Sequence, residues 1–428
     1  MIEIMKKYKI VRNRVFGAVA VITMALLLMS SSTSAASQSS ARSVAMGGAY
    51  TSLATGVEAY RNNPANLGFD GNQRSGIEIV GFGANISNNS FSLDDYNNYT
   101  GAVLTSNDKE YLLDRVPDDG LDISADIEAS AISLSFGSFA FSVSGIGQAD
   151  VNLNKDIINL IFDGNTFGDT INVTGSYSDA IGYIAAGVSY GLPVYTLGTR
   201  QLTVGATAKY IRGLGMEQVV ELEGLAATYE TGFAGEGHVV ARTATGGSGF
   251  ALDVGAALQL SDDYTVGARI KNMLSTISWT SGTEEHGYLF SFDTMTVDNM
   301  DEDYVVSEDY SNDIPSFSTN LPAVMNVGVA NTSGKLLWAV DWEQGFRRAA
   351  GASKKPRLAA GVEWAGLLRM FPLRAGFATG GSKTTAFSFG TGVHLGGFYV
   401  DIATVTGKSL SPSSSKGLNV ALSTGINF

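Results

Sequence analysis

Hydrophobic residues along this chain recur at every second position, in short segments separated by turn-forming residues. In "FALDVGAALQL", Phe250, Leu252, Val254, Ala256, Leu258 and Leu260 share one face, and Ala251, Asp253, Gly255, Ala257 and Gln259 share the other. The next segment repeats the scheme, with Tyr264, Val266, Ala268 and Ile270 opposed to Thr265, Gly267, Arg269 and Lys271. A period of two marks a strand whose faces meet different surroundings. An apolar face backed by a small or polar one is what a membrane barrel requires, because lipid accepts only the first and every backbone group must be paired within the sheet. The second half of the chain continues the pattern. Leu336, Trp338, Val340 and Trp342 point one way, as do Leu358, Ala360, Val362 and Trp364, while Asp341, Glu343, Glu363, Arg374, His394 and Asp401 fall on the opposite faces. A soluble sandwich also alternates, but it has no use for Trp342 and Trp364 near the ends of apolar faces, where interfacial girdles sit.

About fourteen such segments begin near residues 77, 125, 139, 178, 200, 248, 264, 321, 335, 357, 371, 384, 397 and 417. Their connections alternate in length. Short ones fall at 137–138, 191–199, 261–263, 332–334, 366–370 and 396–397; long ones fall at 89–124, 148–177, 213–247, 275–320, 345–356 and 407–416, and 380–383 is the exception. An even strand count with short periplasmic turns and long outer loops is the asymmetry of bacterial outer-membrane barrels. The last segment, "GLNVALSTGINF", alternates and ends on Phe428, as the assembly signal of such barrels does. The expected fold is all-β, a transmembrane antiparallel β-barrel of about 14 strands over residues 77–428.

The start of the chain reads differently. Lys6, Lys7, Lys9, Arg12 and Arg14 precede an apolar run from Val15 to Met29, followed by the small residues Thr33-Ser34-Ala35-Ala36. The run is too short for a bilayer span of roughly 20 residues, so residues 1–36 are expected to be a removed export signal. The net charge of -13 makes nucleic acid a poor partner. There is no Cys, which excludes disulfides, thiolate metal sites and a Cys nucleophile. Acidic clusters in "SLDDYNNY", "DRVPDDG" and "DNMDEDYVVSEDYSND" read as solvated loops, and the spacing in the last fits no defined calcium loop.

Between signal and first strand lies "EAYRNNPANLGFD". Asn63 suits a helix cap, Pro64 the first helical position and Gly68 the residue past the end, which predicts one short helical turn. Closing fourteen strands leaves a lumen wider than side chains alone fill, so residues 37–76 are expected to plug it, with Asn62, Asn63, Pro64, Ala65, Asn66 and Leu67 at the centre of this hatch. On "ARSVAMGGAYTSLA" and "NNPANL", together with the strand count, the chain resembles the FadL-type family of outer-membrane proteins, which includes long-chain fatty-acid transporters and, more distantly, the PorV-like barrels of a secretion system. The resemblance implies a fourteen-stranded barrel, an N-terminal plug and apolar ligands.

Two groups of residues could act on a ligand. In "KDIINLIFDG", Ile157, Leu160, Ile161 and Phe162 stand outside the strand pattern, and helical spacing would turn Ile157, Leu160 and Ile161 to one side, either as an apolar lip at the outer mouth or as packing for a loop helix. Inward Asp253, Arg269, Lys271, Asp341, Glu343, Glu363, Arg374 and Asp401 would pair across the lumen and hold the hatch, or line a polar path. His238, His286 and His394 are the only histidines, and no nucleophile elbow, zinc motif or phosphate loop accompanies them, so neither an enzyme nor a metal or cofactor is expected. The expected function is passive transport of hydrophobic or amphipathic, fatty-acid-like molecules across the bacterial outer membrane, with lipid and the apolar solute as partners. The alternative is a PorV-like barrel that docks secretion-system or surface-assembly proteins.

Overall fold

The computed structural model describes residues 39–70, 75–164, 167–296, 305–365, 370–381 and 385–428. The expected signal at residues 1–36, and Asp298 to Tyr304 of the last acidic cluster, lie outside them.

Fourteen strands form the wall: Gly76–Asn88 (β1), Leu121–Phe136 (β2), Phe139–Leu153 (β3), Tyr177–Leu197 (β4), Arg200–Tyr229 (β5), Gly246–Gln259 (β6), Tyr264–Ser281 (β7), Val324–Asn331 (β8), Leu336–Gly345 (β9), Arg357–Trp364 (β10), Leu373–Gly380 (β11), Thr385–Leu395 (β12), Phe398–Gly407 (β13) and Gly417–Asn427 (β14). Each pairs antiparallel with the next. β14 pairs back onto β1, from Gly76↔Asn427 to Ser87↔Gly417, so the sheet closes and has no edge within the wall. Outward side chains such as Ile132, Leu134, Val188, Val340, Leu358 and Ile402 are exposed, and their inward neighbours are buried or half-buried. Aromatics gather at the short-turn end: Phe136 lies 5.9 Å from Phe139, Phe139 4.6 Å from Tyr190, and Tyr264 6.1 Å from Trp338. Such a ring flanking an apolar band is the arrangement expected where a barrel meets the membrane interface.

Two stretches expected to be long loops are mostly strand. β5 continues past the barrel to Tyr229 and pairs with Gly232–Ala244, which pairs with Glu284–Met295, which pairs with Val305–Asp313. Water wets both faces of this extension, so no apolar period marks it in the sequence. It is held by its ladder and by a row of rings, with Phe290 and Phe292 stacked 6.0 Å apart.

The chain before β1 sits inside the barrel. It contains helix α1 (Ala41–Ala45), a 3-10 turn (Gly56–Glu58), helix α2 (Ala59–Asn62) and a second 3-10 turn (Pro64–Gly68). Met46, Ala49, Tyr50, Ala54, Leu67 and Asn63 are fully buried, so the contact between plug and wall is one part of the hydrophobic core. At the long-loop end, α3 (Leu93–Tyr99) and α4 (Ser106–Leu113) start on capping boxes made by Ser92 with Asp95 and by Thr105 with Asp108. The acidic "SLDDYNNY" is therefore a capped helix rather than a free loop.

Beside these helices Lys416 donates a 2.9 Å hydrogen bond to the Asn89 carbonyl. Burial, with the Lys408 charge alongside, pushes the Lys416 ammonium down to about 8 from its ordinary 10.5. Between those values the unfolded chain holds more protons than the folded one, so this residue makes stability rise with pH across that window. Lys416→Met should flatten the rise, checked by comparing thermal melts of variant and wild type in detergent from pH 7 to pH 11.

Candidate functional site

Asn63 organises the turn at the centre of the plug. Its backbone is extended (φ -157°), its Oδ1 accepts from Ala65 N–H at 3.1 Å, and Pro64 fills the first position, where no N–H is missed. Asn63 Nδ2 then reaches the wall, donating to the Ala256 carbonyl of β6 at 3.2 Å. Asn66 Nδ2 donates to the carbonyls of Thr51 (3.1 Å) and Ala54 (2.9 Å), and Asn62 Nδ2 to Glu58 (3.0 Å), so the asparagines tie the hatch to itself. Gly68 ends the turn rather than following it, and the reason is space: a Cβ there would lie 2.8 Å from the Leu192 backbone of β4.

The inward charges fasten this plug to the wall. Arg42 of α1 grips Glu363 of β10 with two hydrogen bonds, Nε–Oε2 2.7 Å and Nη2–Oε1 2.9 Å. Glu363 also accepts from Arg374 Nε at 2.6 Å, Arg374 Nη1 donates to Asp401 at 2.6 Å, and His394 Nε2 lies 3.0 Å from the same Asp401 oxygen. Asp341 Oδ2 accepts from the backbone N–H groups of Tyr50 (3.0 Å) and Thr51 (2.9 Å). Arg269 donates to Asn326 Oδ1 at 3.0 Å and also to the Arg61 carbonyl, while Asn326 donates to Glu343 at 3.0 Å. Arg61 itself pairs with Glu78 at 2.9 Å. Asp253 is taken by Lys209 at 2.5 Å. Arg42, Arg61 and Lys209 were not among the expected lumen residues. The only signal for the first two was a cation set within a run of small and apolar residues.

Above the plug lies a cavity of about 70 Å³ lined by Tyr60, Arg61, Asp126, Glu128, Gln148, Tyr183, Lys209, Asp253, Lys271 and Leu321, among others. Asp253 and Lys271 are the expected lumen residues that face this space. Next to it is an apolar cluster on the inner wall, made of Tyr183, Ile211, Met216, Ile277, Trp279 and Leu321. Ile211, Ile277 and Trp279 are fully buried, and Trp279 Nε1 is satisfied by Thr319 Oγ1 at 2.8 Å. This greasy inner surface was missed because β7 changes register here: Leu252 pairs with Leu274 but Val254 with Ile270, and Asn272 sits at φ +52°, which shifts the alternation past it.

"KDIINLIFDG" forms helix α5 (Lys155–Asp163), capped by Asn154 Oδ1 on Ile157 N–H at 3.1 Å. Its buried residue is Ile158, which packs with Val116 and Leu121, and Phe162 joins them. Leu160 and Ile161 remain exposed at 39% and 58%. The helix thus serves as loop packing on one side while presenting two apolar side chains on the other.

Glu221, Glu223 and His238 bring potential ligand atoms within 4.8 Å of one another on the extension. His238 Nε2 already lies 2.9 Å from Glu221, and both carboxylates are exposed, which describes a cross-strand polar pair. Ser388 and His394 lie on one strand six residues apart, roughly 20 Å at strand rise, so they form no catalytic pair.

A family model described as a family of unknown function, DUF5723, matches residues 64–232. No curated protein matches the sequence. Among solved structures, the toluene transporter TbuX of Ralstonia pickettii superposes with a TM-score of 0.52 at 14% identity, covering 91% of this chain and 98% of that one. A deltaS2S3 mutant of the monoaromatic hydrocarbon channel TodX gives 0.54 at 14% identity with the same coverage. These likenesses extend over plug and wall alike. The chain has the FadL-type fold of these hydrocarbon channels, a closed fourteen-stranded barrel stoppered by its own N-terminal segment.

Proposed function

We propose that the protein is a passive channel of the bacterial outer membrane for hydrophobic or amphipathic small molecules, exported by a signal over residues 1–36 and gated by the hatch of residues 37–76. The observation that carries this reading is the apolar side of the mixed-polarity cavity above the plug, lined by Ile146, Tyr183 and Leu321 and backed by the buried Ile211, Ile277 and Trp279. A water-filled pore for polar solutes has no use for such a lining, whereas an apolar molecule gains roughly 25 cal/mol for each Å² of its own surface that the cavity takes out of water. Toluene, the cargo named for TbuX, sets the size of molecule to try first. Movement is driven by the gradient, and the turn from Asn63 to Leu67 must shift for passage. Uptake of an apolar tracer into liposomes should rise when residues 41–70 are deleted; equal uptake by the full-length and hatchless forms would refute gating by the hatch.

Leu160 and Ile161 supply an apolar lip at the outer mouth. Leu160→Ser with Ile161→Ser should lower the uptake rate several-fold without changing the melting temperature. Ile158→Ala should instead loosen the loop cluster at a cost of about 2–4 kcal/mol, read as faster proteolysis of the loops around α5.

A protein-docking role, the PorV-like alternative, is favoured by one feature. The strand Val305–Asp313 pairs on one side only among the described residues, at the rim of a sheet that projects beyond the barrel. Such an edge can accept a strand from a partner. A stable protein recovered with the solubilised barrel and lost on deleting residues 305–313 would support docking.

A further inference from the structure

We infer that the connection between β9 and β10, residues 346–356, is a strap that closes the long-loop mouth of the barrel and is released to admit a molecule to the cavity. The strap leaves the wall at β9 and returns at β10, and its ends bond locally, Phe346 to Ala323, Arg347 to Asn320 and Pro356 to Gly381, yet Arg348, Ala350 and Gly351 at its middle meet β2, β3 and β4. β3 and β10 stand seven strands apart in a ring of fourteen, so these are opposite walls. A segment that joins opposite walls of a closed barrel has to pass over the lumen.

The anchoring is specific. Arg348 Nη2 donates to Asp122 Oδ1 of β2 at 3.0 Å, and its guanidinium lies 3.7 Å above the ring of Tyr177 at the start of β4. The Ala350 N–H donates to Asp179 Oδ2 at 3.2 Å. A two-residue turn, closed by Ala352 N–H to the Ala349 carbonyl at 2.9 Å, brings Gly351 down at φ +82° onto Gln148 of β3. That left-handed φ favours glycine, and a Cβ there would also have to push aside the end of the Gln148 side chain, 2.0 Å away at Nε2. Gln148 lines the cavity above the plug. The tip of the strap therefore rests on the rim of the space it covers, and Ala350 is 2% exposed although its neighbours Arg347 and Arg348 are in water.

The hold is of the kind that can be released. Arg348 is half exposed and its partner Asp122 is 18% exposed, so the pair is screened and exchanges readily with water. The connection has few apolar side chains to bury: Phe346 is exposed, and residues 349–352 are Ala-Ala-Gly-Ala. Two glycines, Gly345 and Gly351, lie at its root and tip. The plug, by contrast, is fixed by buried bidentate pairs and close backbone contact, so of the two closures the strap is the easier to move.

The test reads access to the cavity and so is independent of which molecule crosses. The chain has no cysteine, and Lys271→Cys places a single thiol on the cavity wall. Its labelling by a membrane-impermeant charged thiol reagent, added to the long-loop side of the reconstituted protein, is compared alone and combined with Arg348→Ala or, separately, Asp179→Ala. Labelling should be slow in the single variant and at least tenfold faster in both combinations, with Val103→Cys on an exposed loop as the reference for an open thiol. Equal rates with and without the strap contacts, or a Lys271→Cys thiol as reactive as Val103→Cys from the start, would overturn the inference. Failure of apolar uptake with accelerated labelling would reject the proposed cargo and leave the strap standing.

Discussion

Gly205→Val should unseat the plug and turn a closed barrel into a leaking one. Gly205 lies on the inner face of β5, where an added Cβ would stand 2.4 Å from the carbonyl carbon and 2.5 Å from the nitrogen of the Pro64–Ala65 peptide. Both neighbours are backbone, so no side-chain rotation relieves the clash. Overpacking of this kind costs about 1–3 kcal/mol when the core can give, and more when it cannot. Here it falls on the turn that Asn63 pins to Ala256, so the cheapest relief is for the whole turn to leave the wall. The readout is ion conductance in a planar bilayer, expected to be small for wild type and at least tenfold larger for Gly205→Val. Gly145 of β3, which has nothing within 4 Å of a built Cβ, supplies the control: Gly145→Val should leave conductance unchanged. A Gly205→Val barrel as tight as wild type would mean that the hatch is not held by its contact with β5.

Arg374→Met should cost more stability than any surface change in the wall. The Arg374 side chain is fully buried and stands between Glu363 and Asp401, both below 10% exposed. Removing it leaves two carboxylates in an interior that gives them little water, a loss of about 3–5 kcal/mol when one partner of a buried pair is deleted. Arg42 still serves Glu363 and His394 still faces Asp401, which puts the expected loss near the lower end of that range. The pairing predicts non-additivity. Arg374→Met combined with Glu363→Gln should be less damaging than the two single losses summed, because the second change removes a charge that the first has stranded. Melting in detergent, followed by the gel-mobility shift that folded barrels show on heating, checks both. Additive losses would mean that the two residues do not share one network.

The wall was legible because lipid outside and plug inside impose opposite demands on alternate residues. β9, for example, exposes Leu336 and Val340 and buries Asp341, as the sequence pattern requires. All fourteen strand positions were readable on this principle. The extension beyond the mouth was not, since Glu221, Glu223 and Leu225 face water on one side and Leu222 and Gly224 meet no lipid on the other, so no period survives. The plug was legible as a segment, through Asn63-Pro64 and the glycines before it, but its fastenings were not. Arg42 and Glu363 are 321 residues apart, and nothing local to either predicts their meeting. The same holds for the strap. "GFRRAAGASKKP" reads as a basic loop, and only the closed ring of strands reveals that Arg348 crosses to Asp122.

The apolar face of the wall needs lipid, and the polar interior is filled by the chain's own beginning. The solution state of residues 37–428, compared after refolding with and without detergent or lipid vesicles, tests both. A β-rich, heat-modifiable monomer is expected only when detergent or lipid is present, with aggregation in plain buffer. A compact, soluble monomer with the same β-spectrum in the absence of both would contradict it.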